Sequence, residues 1–301
     1  HKNPTNFVRN GKALGPCEGY SALLVVDEAI AWLRHGRDRN KPFFLAVWTH
    51  EPHLPIETDP EFQQIYRDCD DPELRQHHGN ISQLDHAFGR LIKELEDQKL
   101  TASTFVFFTS DNGPEGPAKL KGRTRGSTGG LRGRKRSMYE GGIRVPGIVR
   151  WPAGIPAGRT LDVPIIGSDF FPTALHLAGV PIPDDRVIDG GNVLPLLTGR
   201  SESVVRPRPL FWRLDMAPPA ENLHLALRQG NWKLLASRDF KYFELYDLAA
   251  DPRETTDRKH MDPERFRSMR RDLEALNAEI EKEGPDWWRY LSPNGGAPLK
   301  K

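Results

Sequence analysis

The chain has 301 residues, of which 37% are hydrophobic and 28% are charged, and its net charge is +2. This length ordinarily forms one large or two ordinary domains, and the composition is typical of a globular protein rather than a disordered one. Two cysteines exclude a disulfide framework, although they leave open whether Cys17 and Cys69 pair. No run of eighteen apolar residues occurs, so we predict no transmembrane segment.

The first half of the chain alternates helical and strand patterns. Apolar residues at helical spacing predict an amphipathic helix over residues 19–35 and a second helix whose apolar stripe runs from Ile81 to Leu95. The continuous apolar run at residues 43–48 and the run at residues 104–109 each predict a strand buried on both faces. Helices that alternate with buried strands predict an α/β fold with a mainly parallel sheet flanked by helices.

The pattern changes after residue 146. A strand is predicted near residues 148–151 and a helix over residues 169–178. Four short strand patterns, separated by turns, then predict a small antiparallel sheet, and a final helix follows. We therefore place one domain at residues 1–200 and a small C-terminal α+β domain at residues 201–301. The four strand patterns lie at residues 210–212, 223–228, 232–236 and 243–246.

Candidate site residues follow both predicted strands of the first domain. His50 and His53 come directly after one strand, and Asp111 and Asn112 come directly after the other. Because ligands bind at the carboxyl ends of parallel strands, two motifs at the same edge of one sheet indicate a functional site.

Asp111 and Asn112 carry oxygen donors of the kind that Ca²⁺ or Mg²⁺ prefers. The alternative is an ordinary turn, which Asp-Asn-Gly-Pro forms readily. His50 and His53 could instead form a zinc site, for which the local sequence offers only Glu51 as a third ligand.

Positive charge is concentrated in residues 119–136, which contain eight Lys or Arg and no acid. This run has no aromatic residue and no recognised nucleic-acid motif around it, so we expect no nucleic-acid partner. A solvated loop is the simplest alternative. Just beyond the run, we expect Glu140 and Arg144 to form structural ion pairs around the turn at Gly141 and Gly142.

Two motifs together resemble the sulfatase family. Ser-Asp-Asn-Gly-Pro-Glu at residues 110–115 is followed at residues 131–146 by Leu-Arg-Gly-x-Lys-x-x-x-Tyr-Glu-Gly-Gly-x-Arg-Val-Pro. The His-x-x-His turn at His50 and His53 is also similar to that family, whose members include arylsulfatases and N-acetylgalactosamine-6-sulfatases. Further similar segments, such as residues 230–234 and 244–248, extend the resemblance over residues 20–285.

The resemblance implies an alkaline-phosphatase-like fold and a sulfuric ester hydrolase that acts on aryl sulfates or sulfated carbohydrates. It implies that Asp111 and Asn112 bind a divalent cation, usually calcium, and that Lys135 binds the sulfate. It further implies that His53 contacts the sulfate or its bridging oxygen and protonates the leaving alcohol, as a histidine can at neutral pH. His50 is either a second substrate-binding residue or a structural one.

One family motif is missing. Sulfatases attack sulfur with a hydrated formylglycine, which is made from Cys or Ser within Cys/Ser-x-Pro-x-Arg, and neither Cys17 nor Cys69 lies in that motif. The chain therefore resembles a sulfatase without its N-terminal portion. We expect it to supply metal- and sulfate-binding residues but not the nucleophile, and to be inactive alone.

Two other functions remain open from the sequence. One is a phosphodiesterase or phosphonate hydrolase of the same superfamily, and the other is a non-catalytic anion-binding module. Family resemblance suggests export to the periplasm, the extracellular space or the lysosome. A sheet without its first strands should also expose apolar edges through which the chain could associate.

Overall fold

The computed structural model describes residues 1–116, 125–214 and 222–284. The chain divides into two compact units, the first formed by His1–Gly130 with Gly141–Arg208 and the second by Leu131–Glu140 with Pro209–Lys301. Packing thus places the boundary after Arg208 rather than at residue 200. It also groups the short segment Leu131–Glu140 with the C-terminal part of the chain.

Two long helices form one core of the first unit. Helix α1 spans Ser21–Ala31 and continues as a π-helical turn, and α3 spans Pro72–Asp97. Their apolar stripes face each other, with Val26 and Ala87 fully buried between them. Asp71 caps α3 by accepting hydrogen bonds from the backbone N–H groups of the first turn. Both predicted amphipathic helices are therefore confirmed.

The other helices before residue 200 are short, and none of the described helices of the chain is long and apolar enough to cross a membrane. Cys17 and Cys69 are both free thiols. The short helices are α2 (Pro60–Gln64), α4 (Glu140–Ile143), α5 (Phe170–Leu177) and α6 (Leu194–Leu197).

Strand pairing in the first unit differs from the predicted parallel sheet. Strands β1 (Val8–Arg9) and β2 (Lys12–Ala13) form a small hairpin. Strand β3 (Val106–Thr109) pairs antiparallel with β4 (Gly147–Arg150). No parallel pair occurs in the described residues. A buried apolar run predicts a strand but does not identify its partner, which here lies about forty residues further along the chain.

The structure corrects the predicted strand at residues 43–48. The segment has no strand partner within the described part of the chain, and its side chains alternate between half-buried and exposed. Val47 packs against the α1–α3 core, whereas Phe44 is 67% and Trp48 86% exposed. The period of two is that of an extended chain, but only one face is covered, so the prediction of burial on both faces was wrong.

The second unit is an antiparallel sheet covered by a helix, as predicted. Strands β5 (Leu210–Arg213), β6 (Leu225–Gln229), β7 (Trp232–Ala236) and β8 (Phe243–Asp247) pair in chain order. Helix α7 (Pro263–Glu283) packs its apolar stripe on one face of this sheet. The core of this unit includes Leu227, Leu234, Leu245, Met269 and Leu273, each at most 1% exposed.

Candidate functional site

The loop after β3 presents two oxygen-bearing side chains. Asp111 is exposed and Asn112 is half-buried. The Nδ2 group of Asn112 donates a hydrogen bond of 2.9 Å to the carbonyl of Gly113, so Oδ1 is the atom of this amide that is left to accept. The Ser110 hydroxyl lies 3.5 Å from Asp111 Oδ1 and 3.2 Å from the carbonyl of Asn112. The loop thus presents a carboxylate beside an amide oxygen.

Close backbone packing holds this loop. Gly113 N–H donates a 2.8 Å hydrogen bond to the carbonyl of Gly142. A Cβ atom at Gly113 would lie 1.9 Å from the carbonyl oxygen of Gly141. Only glycine permits such an approach of two backbones, so the Gly-Gly turn at residues 141–142 fixes the position of the loop that carries Asp111 and Asn112.

The histidine turn follows the extended segment at residues 43–48. His53 N–H donates to the carbonyl of His50 at 2.6 Å, which closes the turn. His53 is exposed, and its Nδ1 lies 2.7 Å from the carbonyl of Leu54. Because a carbonyl only accepts, Nδ1 carries the proton, and a neutral His53 presents the lone pair of Nε2. Nε2 can donate a proton only when the ring is the imidazolium.

His50 is in a different environment. Its ring lies 4.8 Å from the ring of His1 and 6.4 Å from that of Phe7, measured between centroids. These contacts support a packing role for at least one face of the His50 ring. Whether it also binds substrate stays a prediction.

The structure argues against the zinc alternative. Glu51, the third ligand that this reading needs, is 7% exposed and accepts hydrogen bonds from Ser21 Oγ at 2.6 Å and from Ala22 N–H at 2.9 Å. Glu51 therefore accepts hydrogen bonds from the N-terminus of α1 instead of serving as a metal ligand. Over residues 1–116, 125–214 and 222–284, no group of three His, Cys, Asp or Glu side chains is placed to hold a metal ion.

Asp111 and Asn112 fit part of a site for a hard cation. Both donors are oxygens, which calcium and magnesium prefer, and both lie in a loop fixed by Gly113. Two residues cannot fill the six to eight positions around calcium. The pair would therefore form one side of such a site.

Lys135 lies in the short segment Leu131–Glu140, here called the anchored segment. Lys135 is half-buried. The segment turns sharply at Gly133, where φ is +76° and a Cβ would lie 2.3 Å from Ser137 Oγ. Residues 119–124 of the cationic run lie outside the described residues.

Arg132 of the anchored segment has structural partners. Its Nη1 donates to the Tyr246 hydroxyl at 3.0 Å and to the carbonyl of Glu254 at 2.7 Å. Its guanidinium also lies 3.8 Å from the centroid of the Tyr139 ring, a cation–π contact. The contacts with Tyr246 and Glu254 join Arg132 to β8 and to the segment that follows it.

A buried ion network joins the end of the anchored segment to the sheet. Lys233 on β7 is fully buried, and its Nζ lies 2.9 Å from Oε1 of Glu140 and 2.9 Å from Oε1 of Glu254. Arg228 lies 3.7 Å from Glu140, and Glu140 N–H donates to Glu254 Oε2 at 2.6 Å. Burial raises the pKa of Glu254 above its ordinary value, although Lys233 and the Glu140 amide favour the charged form. Glu140 thus forms the expected structural ion pair, with a partner from β7, whereas Arg144 is exposed.

Glu244 on β8 forms a second buried cluster. Its Oε2 accepts hydrogen bonds from the hydroxyls of Tyr139 at 2.5 Å and Tyr246 at 2.7 Å, and its Oε1 accepts one from Tyr242 at 2.7 Å. Burial and the adjacent carboxylate raise the pKa of Tyr139 and Tyr246 well above the ordinary tyrosine value. Both phenols therefore remain protonated donors at any physiological pH.

One feature of the sequence indicates the ion network of Lys233, Glu140 and Glu254, which was not predicted. Lys233 lies inside the apolar pattern Trp-Lys-Leu-Leu-Ala of β7. A lysine at such a position is buried only when it is paired.

Comparison with known families gives two matches. The family model described as Sulfatase matches residues 1–180. A model described as N-sulphoglucosamine sulphohydrolase, C-terminal, matches residues 133–282.

Two relatives agree with these matches. Steryl-sulfatase of Homo sapiens is 42% identical over 124 residues, which cover 40% of this chain and 21% of that protein. N-acetylgalactosamine-6-sulfatase of Canis lupus familiaris is 34% identical over 192 residues, which cover 62% of this chain and 34% of that protein. The matched region thus spans about a third or less of each relative's length.

A solved structure shares the fold. The structure of a protein in complex with its substrate, D-glucosamine-2-N,6-O-disulfate, superposes with a TM-score of 0.74 at 21% identity. The superposition covers 92% of this chain and 73% of that one.

Proposed function

Because the chain belongs to the sulfatase family, we propose that it provides the cation- and sulfate-binding part of a sulfuric ester hydrolase. The observation that carries this proposal is the oxygen pair of Asp111 and Asn112, held after β3 by the close contact of Gly113 with the turn at residues 141–142. Both the loop and that turn belong to the motifs that resemble the family.

Asp111 and Asn112 would hold calcium, with magnesium as the alternative hard cation. When bound, such a cation stabilises negative charge on the sulfuryl oxygens. The remaining ligands of the cation would come from other residues, because two side chains are too few.

Lys135 would bind the sulfate group. An ammonium is a compact charge on a flexible stem, which suits a tetrahedral oxyanion without a fixed bidentate face. His53 would contact the ester and return a proton to the leaving alcohol. Since Nδ1 is committed to the carbonyl of Leu54, that proton would come from Nε2 of the imidazolium. His50 would support the turn and contact the substrate from its exposed side.

The nucleophile would not come from these 301 residues. Their two cysteines are free thiols, and neither lies in Cys/Ser-x-Pro-x-Arg. The proposed formylglycine mechanism therefore needs a precursor residue other than Cys17 and Cys69. The chain alone should bind sulfate without hydrolysing its esters.

The proposed substrates are aryl sulfates or sulfated carbohydrates. The relative names include a steryl-sulfatase and an N-acetylgalactosamine-6-sulfatase, and the structure that shares the fold holds a sulfated glucosamine. An exported location, which the family resemblance suggests, is part of the same proposal.

The test measures how two oxyanions and one ester bind to the 301-residue chain in millimolar calcium. We expect inorganic sulfate to bind, inorganic phosphate to bind less tightly, and 4-nitrophenyl sulfate to bind without releasing 4-nitrophenol. Tighter binding of phosphate would favour the phosphodiesterase or phosphonate hydrolase alternative. Sustained hydrolysis of 4-nitrophenyl sulfate would overturn the claim that the nucleophile lies elsewhere, and absence of any oxyanion binding would overturn the proposed site.

A further inference from the structure

We infer that Lys233, through its ion pairs with Glu140 and Glu254, is a positioning residue that holds the anchored segment so that Lys135 can bind sulfate. This inference rests on the proposed function of Lys135. It assigns a role in substrate binding to the C-terminal antiparallel sheet.

The burial of Lys233 makes the network a strong constraint. The side chain of Lys233 is 0% exposed, and those of Glu140 and Glu254 are 3% and 0% exposed. Buried charges are tolerated only when they are paired, so neither carboxylate can leave the ammonium without a large loss of free energy. Glu140 is the last residue of the anchored segment, so the pairing fixes that end of the segment.

A second set of contacts fixes the rest of the segment. Arg132 donates hydrogen bonds to the Tyr246 hydroxyl and to the carbonyl of Glu254. The Tyr139 hydroxyl donates one to the Glu244 carboxylate. Tyr139 is 1% exposed. Lys135 therefore lies between anchors on both sides, three residues after Arg132 and four before Tyr139.

Glu254 contacts both ends of the anchored segment. Glu254 accepts from the Glu140 amide through its side chain and from Arg132 through its carbonyl. The loss of Lys233 would remove both 2.9 Å ion pairs from the contact that the two ends share, although Arg228 would remain 3.7 Å from Glu140. Whether Glu254 then repels Glu140 or takes up a proton, the ammonium that holds the two carboxylates together is gone, and the turn that carries Lys135 would lose its fixed position.

Lys233→Met tests this inference because methionine keeps the length of the apolar stem and removes the charge. Peptide-resolved hydrogen exchange of the 301-residue chain should show exchange in residues 131–140 faster by about tenfold or more. Titration with inorganic sulfate in calcium should show a Kd weaker by about tenfold, the usual effect of removing groups that orient a ligand-binding residue.

Arg206→Met is the matched control. Arg206 forms a buried ion pair with Asp169 at 2.6 Å in the first unit, with side chains 11% and 3% exposed. This variant should lose stability as Lys233→Met does, but it should leave exchange in residues 131–140 unchanged and the sulfate Kd within about twofold of the wild-type value. If Lys233→Met does not fold, Glu254→Gln, which keeps the side-chain shape, should show the same changes to a smaller degree.

Three outcomes separate the alternatives. If Lys233→Met behaves like Arg206→Met in both exchange and Kd, the network is only structural and the inference is wrong. Faster exchange with an unchanged Kd would also overturn it, because the anchor would then have no role in binding. If Lys135→Met binds sulfate as well as the wild-type chain, the proposed function of Lys135 fails, while the exchange data still decide whether Lys233 anchors the segment.

Discussion

Lys233 and Glu140 are joined by a contact of 2.9 Å between Nζ and Oε1, although 93 residues separate them in the chain. Glu140 belongs to the motif that resembles the sulfatases at residues 131–146, and Lys233 lies in the middle of the C-terminal sheet. Through this contact the C-terminal sheet holds one residue of the motif in place.

Tyr139→Phe should lower the free energy of unfolding by about 1–2 kcal/mol, because it removes one buried donor to Glu244 and leaves two others. Tyr242→Phe is the control, since Tyr242 donates to the same carboxylate but is 48% exposed. Urea unfolding should show a smaller loss for Tyr242→Phe. Equal losses would mean that burial of the Tyr139 hydrogen bond has no effect.

Glu94 should make stability depend on acid pH. Hydrogen bonds from Arg34 lower the pKa of Glu94 below its ordinary value of 4.5. The folded state therefore gains stability that is fully present above pH 4.5 and is lost as the pH falls through the lowered pKa. Arg34 is half-exposed, so we expect only about 1 kcal/mol.

The measurement for Glu94 compares urea unfolding of the wild-type chain and Glu94→Gln from pH 6 to pH 3. The advantage of the wild-type chain should shrink toward acid. Glu57→Gln, at an exposed position, should show no such trend. A wild-type advantage that grows as the pH falls would contradict the assignment.

Calcium should stabilise the chain through Asp111. Millimolar calcium should raise the Tm by about 2–4 °C in a thermal melt, because a ligand that binds only the folded state stabilises it by mass action. Asp111→Ala should abolish this shift, whereas Asp70→Ala, which removes another exposed carboxylate, should keep it. No shift in the wild-type chain at millimolar calcium would mean that Asp111 and Asn112 form no usable site.

Gly113→Ala should destabilise the chain by about 1–3 kcal/mol, because its Cβ would overlap the carbonyl of Gly141 and force the two backbones apart. It should also reduce the calcium shift in the same melt. Gly116→Ala is the control in the same loop, since a Cβ there meets no atom of the described residues within 4 Å. Equal stability of the two variants would show that the close approach at Gly113 is not required.

The uncovered face of residues 43–48 should promote association of the 301-residue chain. Phe44 and Trp48 are large, exposed apolar side chains on one face of an extended segment. Sedimentation should show concentration-dependent oligomers that Trp48→Lys reduces. Val205→Lys, which changes another side chain that is 85% exposed, should not reduce them, and a monomer at every concentration would contradict the prediction.

Local patterns predicted some elements well. The apolar stripes of α1, α3 and α7 and the four strands of the C-terminal sheet follow from spacing within each segment, because each buries one face against a close neighbour. The positions of Asp111 and Asn112 directly after β3 were also predicted correctly.

Long-range contacts could not be predicted in this way. The run at residues 43–48 is extended, but its apolar content did not reveal that one face is uncovered. Nothing between residues 131 and 140 indicated that this segment packs with a sheet that begins at Leu210. The partner of Glu140 depends on tertiary structure, and only the lysine in the apolar pattern of β7 hinted at it.

The most direct test of the proposed function is calorimetric titration of inorganic sulfate into the wild-type chain and into Lys135→Met, in calcium. The control is Lys241→Met, which removes an ammonium from an exposed pair with Asp239 in the same unit. We predict that the wild-type chain and Lys241→Met bind with the same Kd, and that Lys135→Met binds about tenfold or more weakly. Equal binding by all three proteins would contradict the assignment of Lys135 as the sulfate-binding residue.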